Sequence, residues 1–140
     1  VEYNARFGDP ETQVLMMRLG AQALDLMLAC AEGRLDKAQV NWADDHAITV
    51  VYAANGYPGS YTKGSVINGL DALPEDSHHM VFHAGTTAVG DTITATGGRV
   101  LNVTARGDTL QQAHDRAYAM IHDIDWPEGF YRRDIGYQAL

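Results

Sequence analysis

The feature that most constrains this chain is the order in which its hydrophobic periods change. Residues 10 to 32 place apolar side chains at helical spacing, through Val14, Leu15, Met17, Leu19, Leu24, Leu26, Met27, Leu28 and Ala31. Residues 46 to 106 then read as several short strands set apart by glycine and proline. A second helical stripe closes the series with Leu110, Ala113, Ala117, Tyr118, Met120, Ile121 and Ile124. A helical pair, a run of antiparallel strands and one long helix predict an α+β fold. Apolar residues make up 46% and charged residues 20% of 140, so one globular core is within reach without staples.

Punctuation refines that reading. Gly20 interrupts the first helical stretch and predicts a kink or a break into two helices, with Gly33 as the stop. Asp9 fits an N-cap and Pro10 the first helical position. Met16, Met17 and Met27 read as core filler, and Cys30, on the same helix, as a buried inert thiol. His46 to Ala54 predict a strand, and residues 56 to 69 a glycine-rich loop with a short strand at 65–68. Lys63 precedes Gly64 rather than following the last glycine, so this loop is not a P-loop. Gly97-Gly98, between the runs 91–96 and 99–106, predict a hairpin. Asp108 or Thr109 caps the long helix and Pro127 ends it.

The chemistry concentrates at the start. In Val1 to Phe7, read as a strand, Glu2, Asn4 and Arg6 point to one side, and Tyr3, Ala5 and Phe7 to the other. A carboxylate beside an amide carbonyl suits a hard cation such as Mg²⁺ held with phosphates, and a guanidinium suits a phosphate or carboxylate. An edge strand with one polar face would give the same alternation. Asp9 and Glu11 occupy the following helix N-terminus with their own charge, as cap or as partners for amines. His78, His79 and His83 do not read as a zinc set: neighbours on a strand face opposite ways and no cysteine is near.

Composition excludes some partners. Ten Lys and Arg against 18 Asp and Glu leave a formal charge of −8, with the basic residues scattered, which disfavours nucleic acid and anionic membrane. No apolar run approaches the ~20 residues a bilayer span needs. A single cysteine allows no internal disulfide, which fits a reducing cytoplasm.

The run Glu2-Tyr3-Asn4-Ala5-Arg6-Phe7-Gly8-Asp9-Pro10-Glu11-Thr12-Gln13 resembles the late active-site segment of the phosphoribosylamine–glycine ligases (glycinamide ribonucleotide synthetases), ATP-grasp enzymes of purine synthesis. Asn55 to Gly64 resemble that family's G-Y-P-G loop, and Val81 to Thr86 its V-F-H-A-G-T strand. Thr96 to Leu101 with Val103 to Ala105 resemble its glycine-rich hairpin, and Arg133 to Gly136 its closing segment. The matches run in the family's order across nearly the whole chain.

The resemblance implies a division into residues 1–40, the end of an ATP-grasp domain (strand plus helices), and 41–140, a small antiparallel sheet domain with one long helix. It implies Glu2 and Asn4 as ligands of Mg²⁺ or Mn²⁺, and Arg6 as the catalytic residue holding a transferring phosphoryl group or a substrate carboxylate. Asp9, Glu11, Gly56, Tyr57, Gly59 and Lys63 are the implied substrate contacts. The implied reaction joins glycine to phosphoribosylamine through glycyl phosphate, with ATP as co-substrate, most of its site upstream, and the rest of the ligase chain as partner. The chain opens on Val1 and lacks the nucleotide half-site, so it is expected to be a C-terminal piece that is inactive alone. A non-catalytic docking or structural domain is the alternative. A sister ATP-grasp enzyme with another acceptor is disfavoured by the tail motifs.

Overall fold

A computed structural model describes residues 5–74 and 76–140. Helices α1 (Glu11–Leu19) and α2 (Gln22–Ala31) come first, followed by strand β1 (His46–Ala54). Then come β2 (Val66–Ile67), β3 (His79–His83), β4 (Thr86–Val89), β5 (Thr92–Ala95) and β6 (Arg99–Gly107). Helix α3 (Leu110–Asp123) and strand β7 (Gly129–Tyr131) complete the chain. The arrangement is the expected α+β. One sheet has the order β3-β6-β1-β7 and the other β2-β5-β4, and their strand pairs are antiparallel.

β6 is the centre of the larger sheet. It is paired on both edges and covered on both faces, and Val100 through Ala105 are all buried. Such a strand can be apolar along its whole length, and Val100, Leu101 and Val103 are. α3 covers one face. Its Ala113, Ala117, Met120 and Ile121 pack with Ile48, Val50 and Tyr52 of β1 and with Leu101 and Val103 of β6. Two alanines on the inner stripe let the helix axis come close to the sheet, and Gly107 leaves room for the backbone at Ala113. Thr109 caps α3 as expected, its Oγ1 accepting from Gln112 N at 3.2 Å.

The second face carries Thr49 and Val51 of β1 opposite Thr104 and Asn102 of β6. α1 lies across part of this face and leaves the rest open. The smaller sheet joins the same core through Ile67 and Ala95. Trp126 fastens it, donating from Nε1 to Ser65 Oγ at 2.9 Å while its ring lies 5.1 Å from that of Tyr52.

Five local expectations change. Gly97-Gly98 do not turn a hairpin: β5 belongs to the small sheet and β6 to the large one. A two-residue hairpin turn needs positive φ, and neither glycine has it. Gly97 instead serves a close backbone crossing, where an added Cβ would stand 2.9 Å from Gly85 Cα. The hairpin of this region is β4–β5, turned at Gly90-Asp91 with Gly90 at φ 61°.

The second change is at α1. Pro10, not Asp9, holds the residue before the helix, and no side chain caps it there. Glu11 Oε1 accepts from Gly8 N at 2.9 Å, and Gly8 O accepts from Thr12 N at 3.0 Å. Counted from Gly8, the acid stands three residues on, so the reciprocal half of a capping box is present one residue earlier than read.

The third and fourth changes are at α2. Gly20 does break the helix, with α1 and α2 meeting at 105°. The outer side of α2 is uncovered: Leu24 is 72% exposed, and Met27 and Leu28 are also exposed. Met27 is thus not core filler, and Cys30 is exposed rather than buried. Helical periodicity shows which side is apolar but not whether anything covers it. Fifth, Ala5 and Arg6 form a bend, and no strand pairing reaches residues 5–8. A strand exists only where a neighbour completes its ladder. Among the described residues no single helix is long and apolar enough to cross a membrane.

Candidate functional site

The open part of the second sheet face forms a cleft of about 430 Å³. Val51 and Ala53 of β1, Phe130 and Tyr131 of β7, Pro10 and Tyr57 line it, the Tyr131 ring itself turning to the α3 side against Tyr52 and Tyr118. Two guanidiniums, Arg99 at the start of β6 and Arg132 just beyond β7, stand among its lining residues.

Asp9 organises the α1 end. Its Oδ1 accepts from Gln13 Nε2 at 3.1 Å and from Asn102 Nδ2 at 3.3 Å. Its Oδ2 lies 3.3 Å from Arg99 Nη2, and its carbonyl accepts from Arg99 Nη1 at 2.9 Å. Asn102 is wholly buried, and among the described residues its Oδ1 has no donor. One carboxylate therefore bonds the entrance to α1 directly onto β6, across more than 90 residues of chain.

At the other end Arg132 forms a bidentate pair with Asp134, Nε to Oδ1 at 2.9 Å and Nη2 to Oδ2 at 2.7 Å. Those hydrogen bonds hold the Asp134 carboxyl below the usual carboxylate range and raise Arg132 further. Tyr118 on α3 fixes this segment. Its hydroxyl donates to Arg132 O at 2.7 Å and accepts from Ile135 N at 3.2 Å, and burial pushes its pKa up.

The residues singled out in the sequence fall into three groups. Tyr57 lines the cleft, its ring packed against Gly98, and Asp9 reaches it through its pair with Arg99. Glu11 sits beside it, at the mouth of a groove formed with Val14, Leu15 and Ala47. Gly56 turns the loop at φ 97° against the Ser60 carbonyl, and Gly59 packs on Gly56 O. Lys63 is exposed, with its Nζ 5.9 Å from the Tyr61 ring centroid, and is not among the cleft residues. Arg6 is exposed and donates from Nη1 to Phe7 O at 2.9 Å. Glu2 and Asn4 lie outside the described residues. Among the described residues no three His, Cys, Asp or Glu side chains cluster as a metal set would.

Sequence reasoning passed over Arg99, Asn102 and Arg132 as site residues. For Asn102 a signal was present: a lone amide inside Val100-Leu101-Asn102-Val103 is out of place in a buried strand unless something bonds it. Nothing local marks Arg99 or Arg132, because the cleft that collects them forms only when β1, β6 and β7 pair.

Residues 47–138 match the family model "Phosphoribosylglycinamide synthetase, C domain". Over the whole chain, 54% of residues are identical to a phosphoribosylamine–glycine ligase of Brucella melitensis, and 49% to a chloroplastic one of Arabidopsis thaliana. The chain spans 33% and 27% of those two relatives. The crystal structure of phosphoribosylamine–glycine ligase from Thermotoga maritima superposes with a TM-score of 0.82 at 33% identity, covering 96% of this chain and 32% of that one. Fold and sequence agree along the same residues, and the chain belongs to the phosphoribosylglycinamide synthetase family, carrying its C domain.

Proposed function

We propose that this chain is the C-terminal third of an ATP-dependent ligase that joins glycine to 5-phosphoribosylamine in purine biosynthesis. The observation that carries the reading is the end-to-end identity with ligases of that name, at about one third of their length. The reaction activates the glycine carboxyl as glycyl phosphate, and the sugar amine then attacks the acyl carbon and displaces phosphate. Catalysis of this kind rests on holding the reacting groups in line and balancing phosphate charge.

Within that scheme residues 1–40 end the ATP-grasp domain, and residues 41–140 form the sheet domain behind it. The donor set of Glu2 and Asn4, a carboxylate and an amide oxygen, fits Mg²⁺ or Mn²⁺. Such an ion supplies charge neutralisation to the ATP phosphates when bound. Arg6 holds an anionic group of the reacting pair. Asp9 keeps this segment in register with the sheet domain through Asn102 and Arg99. The rest of the ligase chain covers the exposed apolar side of α2 at Leu24, Met27 and Leu28.

The test compares the 140-residue chain with the longer ligase that contains it. The longer protein should convert ATP, glycine and phosphoribosylamine to ADP, phosphate and the glycinamide product, and the 140-residue chain should not. In the longer protein Glu2→Ala should remove turnover without changing the unfolding midpoint. Turnover by the 140-residue chain, or full activity of Glu2→Ala, would overturn the respective assignments.

A further inference from the structure

Asn102 sits where packing alone would not place an amide. It is wholly buried in β6, the doubly covered central strand, between Leu101 and Val103. Its Nδ2 donates to Asp9 Oδ1 at 3.3 Å, and among the described residues its Oδ1 has no donor. The Gln13 amide is used in the same way. Its Nε2 donates to the same oxygen at 3.1 Å, and its Oε1 is buried without a partner among the described residues. Turning either amide over would set its carbonyl against the carboxylate, so Asp9 fixes both orientations. An orphaned buried carbonyl offsets most of what the single bond contributes, and an apolar side chain of the same shape would serve β6 as well. The amide at 102 therefore serves something other than stability; chains break local rules of this kind where they carry function.

What Asn102 holds is the entrance to α1. Arg99, from the same strand, donates to the Asp9 carbonyl at 2.9 Å and lies 3.3 Å from Oδ2. Gly8 is buried; its N–H donates to Glu11 Oε1 at 2.9 Å and its carbonyl accepts from Thr12 N at 3.0 Å. Gly8 and Asp9 are thus pinned, whereas Arg6, just before them, is exposed and bonds to Phe7 O. The place of Arg6 relative to the sheet domain comes from that anchor. We infer that Asn102 is a positioning residue for the chemical step: from the buried centre of the sheet domain, through Asp9, it sets where the segment carrying Arg6 stands. The inference rests on the proposed reaction for what Arg6 does; the anchor itself does not. A misplacement of about 1 Å is enough to cost about a hundredfold in rate.

The test uses the intact ligase with Asn102→Leu, which keeps the shape and removes the amide. Its kcat should fall roughly ten- to a hundredfold. KM for ATP, glycine and phosphoribosylamine should stay within about twofold, since no binding contact is removed. Asp9→Ala with Asn102→Leu should lose little more than Asp9→Ala alone, because the amide acts only through that carboxylate. Exchange of the Gly8 and Thr12 amides should quicken by about tenfold or more in Asn102→Leu. Thr109→Ala is the control. It removes the α3 cap on the opposite face of the sheet and should lower stability while leaving kcat and both amides at parental values. Asn102→Thr, too short to reach Asp9 and well suited to a strand, carries the test if Asn102→Leu does not fold. Parental kcat in Asn102→Leu overturns the inference, as does an equal fall in Thr109→Ala or a double variant whose losses multiply. A ligase that makes no glycinamide product, yet shows faster Gly8 and Thr12 exchange in Asn102→Leu, would refute the proposed reaction and leave the anchor standing. Product formation with kcat and exchange both unchanged would do the reverse.

Discussion

The bond between Asp9 and Asn102 makes a quantitative prediction about how the entrance to α1 is held. Asn102 is wholly buried, and its amide has Asp9 Oδ1 as an acceptor at 3.3 Å. Asp9→Ala removes that acceptor and strands the amide N–H₂ as well as the carbonyl, which costs about 1–3 kcal/mol for a buried polar group. The Gln13 contact adds about 0.2–0.5 kcal/mol as an exposed pair four residues apart. The Arg99 pair is 42% and 38% exposed, so screening keeps it to about 0.5 kcal/mol. The sum is about 2–4 kcal/mol for Asp9→Ala. Asp9→Asn leaves an oxygen facing both amides and loses only the charge, for about 0.5–1 kcal/mol.

The decisive partner is Asn102→Leu, close in shape and free of polar atoms. It removes the buried amide and leaves Asp9 to water, so alone it should change stability by less than about 1 kcal/mol. In that background Asp9→Ala should cost only the Gln13 and Arg99 contacts, giving a coupling energy of about 1–3 kcal/mol in a double-mutant cycle. Urea unfolding at constant m-value reads all four proteins. Additive costs, or an Asp9→Ala cost under about 0.5 kcal/mol with Asn102 in place, would refute the claim that a buried amide anchors α1 to β6.

Three further outcomes follow from other parts of the molecule. At Gly85 an added Cβ meets Arg99 O at 2.5 Å and Gly97 Cα at 2.7 Å, so Gly85→Ala should cost about 3 kcal/mol by overpacking. Gly90→Ala, at φ 61° in open space, should cost only about 1 kcal/mol; equal thermal shifts would mean that the crossing is not tight. The Asp134 carboxyl is held down by Arg132, so that pair is intact above the ordinary carboxylate range. Its contribution disappears as pH falls through the lowered value, and Arg132→Ala should return the NMR titration of Asp134 to the usual range. Leu24→Lys with Leu28→Lys should leave the 140-residue chain within about 0.5 kcal/mol of its parent, since both side chains are exposed, yet lower the unfolding midpoint of the longer ligase. An unchanged midpoint there would show that nothing covers α2.

Much of the fold was readable along the chain because its signals are local. The break at Gly20, the extent of β1, the Thr109 cap and the inner stripe of α3 depend on neighbours within a few residues, and each stands where the sequence put it. Pairing was less accessible. A Gly-Gly step permits both a tight turn and a close crossing, and the choice at Gly97-Gly98 lies with Gly85 and Tyr57, which are distant in sequence. Hydrophobicity identified the apolar side of α2 but could not say whether a partner within this chain covers it, so Met27 and Cys30 were read as buried. At the cleft, Asp9 and Tyr57 were legible as motif residues, whereas Arg99, Asn102 and Arg132 were not.

By itself, then, the sequence determined the kinds of elements, their order and the family, since periodicity and motif spacing are properties of short stretches. Only the tertiary structure decided that Asp9 reaches across the sheet to Asn102 and Arg99, and that Arg132 lines the same cleft. Strand pairing brings those residues together, and the free energy that selects a pairing comes from burying both faces of β6 at once, which no single segment encodes.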